Sequence, residues 1–278
     1  MKKLTEIIQP VAAELVKFEA FLAQALRAET EPMDSIMRYV GETKGKRLRP
    51  TLVLLGARLL GEVNEQTLRA AAFVEMIHSA TLIHDDVVDD SDERRGRASV
   101  KTHFGNLSAV LAGDYLLAKA MLLLSQPADS TILQEMLRTT AGMSEGELMQ
   151  NVVGLPCFDS HHGNSQKNDS HNASTLQTQY LEIITRKTAL LMCSCCVAGA
   201  LSVNATLEQV RQVSDFGLNF GLLFQLRDDI LDGENVEQAQ ALLPSYYEKT
   251  LRALDGFGTN EIAETLRDLT VFCAEREG

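Results

Sequence analysis

Apolar residues recur at three- and four-residue spacing along nearly the whole chain, in segments near 3–27, 33–40, 48–60, 64–90, 106–124, 129–153, 176–203, 206–232 and 235–277. That period marks one buried face of an α-helix, and strand-like alternation with turn dipeptides is scarce, so the chain reads as all-α. The breaks at 41–45, 61–64, 96–106 and 127–130 carry the Gly, Pro, Asn and Ser of turns. With 278 residues, 45% of them hydrophobic, there is enough material for a substantial core, and a single domain over 1–278 is expected.

Charge and polarity narrow the partners. Lys plus Arg number 26 against 38 Asp plus Glu, a net charge of -12, which excludes a general attraction to nucleic acid or anionic lipid. An anionic ligand would need local cations. The start, MKKLTEIIQPVAAELVKFEAF, lacks an uninterrupted apolar core before a small-residue cleavage site. It reads as an amphipathic helix with a boundary near Pro10, and no secretion signal is assigned. The uncharged stretch Thr188 to Thr206 carries Ser194, Gly199, Ser202 and Asn204, and fits a buried core helix better than a membrane span. Five cysteines, three of them at Cys193, Cys195 and Cys196, fit neither a disulfide framework nor paired-cysteine zinc spacing, so a reduced, cytoplasmic setting is expected. Gly154 to Ser174 is rich in Ser, Asn, Asp and His and reads as a solvated loop, with His161, His162 and His171 as loop residues rather than metal ligands.

Two acidic clusters carry the chemistry. LIHDDVVDD places Asp85, Asp86 and Asp89 at i, i+1 and i+4 after an apolar run, and FGLLFQLRDDILD repeats the spacing at Asp228, Asp229 and Asp232. On a helix the first and third members lie one turn apart on one face, and like charges there are destabilising by a few tenths of a kcal/mol per pair. A hard divalent cation offsets that repulsion. Magnesium favours carboxylate oxygens, keeps several waters and completes its shell with substrate phosphates. Basic residues stand where an anion would need them: Lys46, Arg47 and Arg49 in GKRLRP, and Arg94, Arg95 and Arg97 just after the first cluster.

In order and context, GKRLRP, IHSATLIHDDVVDDSDERRG, VLAGDYLL, ITRKTALL and FGLLFQLRDDILD resemble the motifs of trans-isoprenyl diphosphate synthases, most of all those making medium and long chains. The resemblance runs from about residue 30 to Asp232 and resumes weakly in LRDLTVFCAEREG. It implies a bundle of mostly antiparallel helices around a central cavity, usually a homodimer, with the two aspartate motifs facing each other. It implies that Asp85, Asp86, Asp89, Asp228, Asp229 and Asp232 hold two or three Mg2+ ions on an allylic diphosphate. Arg94, Lys187, Thr188 and Gln225 would contact that diphosphate, and Lys46, Arg49, His78 and Arg95 would bind isopentenyl diphosphate. His78 also lies two turns before Asp85 on nearly the same face, whereas a lone histidine on an apolar helix is often only a core residue. The implied reaction is electrophilic condensation, and its lipophilic product would need transfer to a membrane or carrier.

The chain departs from this family after Asp232, where the usual Gly-Lys-containing loops are missing and GENVEQAQALLPSYYEKTLRALDGF follows directly. Lys249 and Arg252 are the downstream cations that could stand in for the absent lysine. The departure keeps a second reading open, a catalytically weak or regulatory subunit, although two intact aspartate triplets argue against it. A terpene cyclase is disfavoured by the second triplet, by GKRLRP and by an aromatic content of 5% with no Trp. Thr81, Ala80 and Ile77, at four, five and eight residues before Asp85, are not aromatic, which in the resembled family goes with products longer than farnesyl.

Overall fold

The computed structural model describes residues 2–43, 45–152 and 169–277. Along them run α1 (Leu4–Ile7), α2 (Ala12–Ala25), α3 (Glu31–Glu42), α4 (Leu48–Leu60), α5 (Glu65–Val88), α6 (Val100–Phe104), α7 (Asn106–Leu123), α8 (Ser130–Val152), α9 (Asp169–Ile184), α10 (Leu190–Ser202), α11 (Leu207–Asp232), α12 (Val236–Arg252) and α13 (Glu261–Glu275). Among the described residues, strand structure is confined to the two-residue pair β1 (Glu93–Arg94) and β2 (Arg97–Ala98). The all-α expectation therefore holds. The chain forms two compact units, one of Ile8–Gln134 with Ala198–Thr206, the other of Met1–Ile7, Glu135–Val197 and Leu207–Gly278.

In the first unit α5 is the axis, packed by α2, α4 and α7. Its start is fixed by a reciprocal cap: the Asn64 side chain accepts from Thr67 N at 3.0 Å, and Thr67 Oγ1 accepts from Asn64 N at 3.2 Å. Such a cap contributes about 1 kcal/mol. From Ala70 to Ile77 the helix is buried on every side, with Phe73, Met76 and Ile77 at 1% exposure or less. Each such side chain contributes roughly 1.5–3 kcal/mol by burial. Glu75 is a buried charge within that run, paired with Arg47, and α5 turns acidic at its end, at Asp85, Asp86 and the capping Asp89.

The second unit is built on α11, packed by α12 and α13. Gly217 and Gly221 let this helix approach its neighbours closely. A Cβ at Gly217 would come 2.8 Å from Cys193 Cα, and one at Gly221 would come 2.6 Å from Ala189 Cα. The uncharged stretch behaves as a core helix, with Leu191, Met192, Cys195 and Ala198 buried. Among the described residues two stretches, Asn106–Leu123 and Leu176–Ser202, are long and apolar enough to cross a membrane, and the second is 72% buried within the protein.

Several expectations needed correction. Helical periodicity over 235–277 is divided at Ala253 to Asn260 into α12 and α13, with Asn260 capping the second by accepting from Ala263 N at 2.8 Å. The polar stretch expected as a loop over 154–174 lies outside the described residues up to 168, and from Asp169 onward its backbone is helical. His161 and His162 are thus outside the described residues, while His171 falls in α9. The expected break at 96–106 contains α6, capped by Ser99. Between α9 and α10, Thr185–Ala189 is a single π-helical turn, which periodicity did not signal.

Candidate active site

In the first unit the last turn of α5 and the hairpin after it bring acid and base together. Asp86 is 3% exposed, and its Oδ1 accepts from Arg94 Nε at 2.9 Å and Nη2 at 2.5 Å. Asp85 is half-buried and Asp89 exposed. The hairpin turns on Arg95 and Gly96, both at positive φ (54° and 73°), which forms a tight connection between strands of two residues each. Lys101, its side chain 5% exposed, is hydrogen-bonded to Asp90 and lies 3.6 Å from Asp92, so it ties the segment after the aspartates to α6.

His78 Nε2 lies 3.1 Å from Arg49 Nη1. Burial, then the charges of Arg49, Arg95, Arg94 and Arg47, hold the imidazole well below its usual value. The ring is therefore neutral, and since arginine can only donate, Arg49 donates to Nε2 and the proton resides on Nδ1. Lys46 is exposed. Arg47, by contrast, turns inward from a positive-φ position at the start of α4 (50°) to pair with Glu19 at 2.7 Å and with Glu75. It is a structural cation. A solvent-open pocket is lined by Tyr39, Glu75, His78, Asp86, Arg94 and Arg95 among others. Glu75 and Tyr39 were not singled out in the sequence; a buried acid within an apolar helix was the available signal for Glu75.

In the second unit the end of α11 carries the other triplet. Asp228 Oδ1 accepts from Arg276 Nη2 at 2.5 Å. Asp229 Oδ1 accepts from Gln225 Nε2 at 2.6 Å, its Oδ2 accepts from the Tyr180 hydroxyl, and Gln225 Oε1 accepts from Thr188 Oγ1 at 2.7 Å. Lys187, in the π turn, donates to Gln150 Oε1 at 2.9 Å and pairs with Glu147 at 2.9 Å. Asp232 is exposed. Lys187, Thr188, Gln225, Asp229, Tyr180 and Gln150 all border one solvent-open pocket. Lys249 instead lies over the Tyr246 ring at 4.4 Å and Arg252 pairs with Glu248, so neither replaces the missing lysine at the aspartates. The cation at Asp228 is Arg276, which the sequence reading did not single out.

Among the described residues no three acidic, His or Cys side chains already converge on one point. The donor chemistry nevertheless suits a hard cation that keeps water. Burial pushes the Asp228 carboxyl above the usual carboxylate range; Arg276 pulls it down, and the charges of Asp232 and Asp229 push it up again. A divalent cation would relieve that crowding of like charge.

Comparison with known proteins identifies the family of the chain. The family model described as Polyprenyl synthetase matches residues 30–240. The octaprenyl diphosphate synthase of Haemophilus influenzae is 32% identical over 232 residues, which are 84% of this chain and 66% of that protein. Component 2 of the heptaprenyl diphosphate synthase of Geobacillus stearothermophilus is 27% identical over 99% of both chains. That alignment extends over 334 positions against the 278 residues here, so the relative has stretches with no counterpart in this chain. A crystal structure of a polyprenyl synthase from Caulobacter crescentus, complexed with calcium and isoprenyl diphosphate, superposes with a TM-score of 0.84 at 27% identity, covering 99% of this chain and 98% of that one.

Proposed function

The chain belongs to the polyprenyl synthetase family, and from that membership we propose that it condenses isopentenyl diphosphate with an allylic diphosphate, such as farnesyl or geranyl diphosphate, to make a trans-polyprenyl diphosphate. The observation that carries the reading is the pairing of each aspartate triplet with ordered donors: Arg94 on Asp86, and on Asp229 Gln225, which is itself held by Thr188. Asp85, Asp86, Asp89, Asp228, Asp229 and Asp232 are the proposed ligands of Mg2+. When bound, the metal stabilises the charge that develops on the departing diphosphate.

The protein's own groups divide the remaining work. Arg94, Lys187, Thr188 and Gln225 hold the allylic diphosphate, so that when its C–O bond breaks the electron pair goes to the diphosphate oxygen and these fixed donors stabilise the charge there. Lys46, Arg49 and Arg95 hold isopentenyl diphosphate, and neutral His78 orients Arg49 by accepting a hydrogen bond from its Nη1 at Nε2. The isopentenyl double bond attacks the allylic cation, one proton passes to the departed diphosphate, and diphosphate is released.

The same reading includes a homodimer in the cytoplasm. Support comes from α7, which carries Leu107, Leu111 and Leu122 at 74, 51 and 70% exposure, a larger apolar face than single scattered residues make. A second copy covers it, and equilibrium sedimentation of Leu111→Glu against wild type checks this, with a shift to monomer expected.

Incubating the purified chain with Mg2+, farnesyl diphosphate and labelled isopentenyl diphosphate tests the activity. Labelled, elongated product is expected. Tight diphosphate binding without turnover would instead assign the chain to a subunit that needs a partner, a role worth testing because the Geobacillus relative is named as component 2 of its synthase.

A further inference from the structure

Tyr180 is buried at 9% exposure, and its ring sits in an apolar cluster with Ile184, Ala189, Leu222, Leu226 and Ala239. A phenylalanine would fill that space as well, and a buried hydroxyl is costly unless it is bonded. Here the hydroxyl donates to Oδ2 of Asp229, which is itself 5% exposed and receives Gln225 on its other oxygen. A carboxylate offers about four lone-pair sites, so these two donors fix its rotation and leave others available.

The helix is shaped to deliver this contact. Tyr180 and Thr188 are eight residues apart, which in a regular α-helix turns their side chains about 80° from each other. Both nevertheless bond to the same neighbouring helix, Tyr180 to Asp229 and Thr188 to Gln225 one turn earlier. The π turn Thr185–Ala189, in which Thr188 itself sits, widens the backbone and reduces that angular offset.

We infer that Tyr180 is a positioning residue, holding the Asp229 carboxylate in the orientation in which it meets a divalent cation. The inference rests on the proposed function. Outer partners of metal-binding carboxylates are worth roughly 10–100-fold in metal affinity or activity when removed.

The test is Tyr180→Phe, read by electron paramagnetic resonance of free Mn2+, a spectroscopic stand-in for Mg2+, titrated into protein with inorganic diphosphate. Half-saturating Mn2+ is expected to rise about tenfold. In steady-state assays, kcat should fall at limiting Mg2+ and recover at high Mg2+, with the KM for isopentenyl diphosphate unchanged. Tyr246→Phe, whose ring borders the same cluster, is expected to bind Mn2+ like wild type. Equal Mn2+ binding by Tyr180→Phe and wild type would overturn the inference, as would loss of helicity in Tyr180→Phe, which would make the hydroxyl a structural one. Wild type that binds no Mn2+ with diphosphate would overturn both the proposed function and the role of Tyr180.

Discussion

Arg276 Nη2 donates to Asp228 Oδ1 at 2.5 Å across 48 residues of sequence, with the guanidinium stacked 4.2 Å over the Phe224 ring. The backbone joins in: Arg276 O accepts from Arg227 Nε at 3.0 Å and Nη2 at 2.5 Å. The end of α13 is thereby fastened to the turn of α11 that carries the second triplet. A charge-assisted hydrogen bond of this kind contributes about 1.5–3 kcal/mol. Arg276→Ala should lower stability by that amount in urea unfolding, because a half-buried carboxylate loses its counter-ion. An unchanged midpoint would contradict the structural role of this pair.

His78 predicts a pH dependence. Its folded pKa is depressed by burial and by neighbouring arginines, so below about pH 6.5 the unfolded chain binds a proton that the folded one does not. The stability from this group is present above that pH and is lost as the pH falls through it. Urea unfolding at pH 7.5 and pH 5.5 should show the loss in wild type and a smaller loss in His78→Gln. The same slope in both proteins would refute it.

Gly45 meets the Arg95 guanidinium so closely that a Cβ there would overlap Nη1. A flexible side-chain end can move aside, so Gly45→Ala should cost little stability while displacing Arg95. The expected result is a KM for isopentenyl diphosphate raised several-fold, with an unaltered melting temperature. An unchanged KM would mean that Arg95 does not bind this substrate.

The elements that position the site were legible where one local signal sufficed. The bounds of α4 coincide with its apolar run at 48–60, and α5 and α11 end in the aspartates as their sequences indicate. What escaped depended on distant partners or on backbone states without a periodic signature. Arg47 and Arg49 look alike in GKRLRP, yet buried Glu75 draws the first inward while the second meets His78. Strands of two residues cannot show alternation, and a π turn of five residues is too short to register in periodicity read over a longer window. Arg276 and Tyr180 reach the second triplet from 48 and 49 residues away.

Product length is a test of the wall below the first triplet. Ala80 and Ile77 have no exposed surface, whereas Thr81 is half-buried with its hydroxyl donating to His78 O at 2.9 Å. Ala80→Phe would overpack a closed site, at about 1–3 kcal/mol or more, so Thr81→Phe is the cleaner obstruction. It should shorten the longest product while sparing the first condensation. Identical product lengths from active wild type and Thr81→Phe would place the length-setting wall elsewhere.

Mass spectrometry of the products formed from farnesyl and isopentenyl diphosphates in Mg2+, with wild type, Asp85→Asn and Asp228→Asn run side by side, decides whether both aspartate triplets serve chain elongation. Wild type should give a ladder of five-carbon additions beyond farnesyl, abolished by a chelator and reduced by orders of magnitude in each variant at unchanged helicity. A ladder that persists at near wild-type rate in either variant, or no elongation by wild type, would contradict that role.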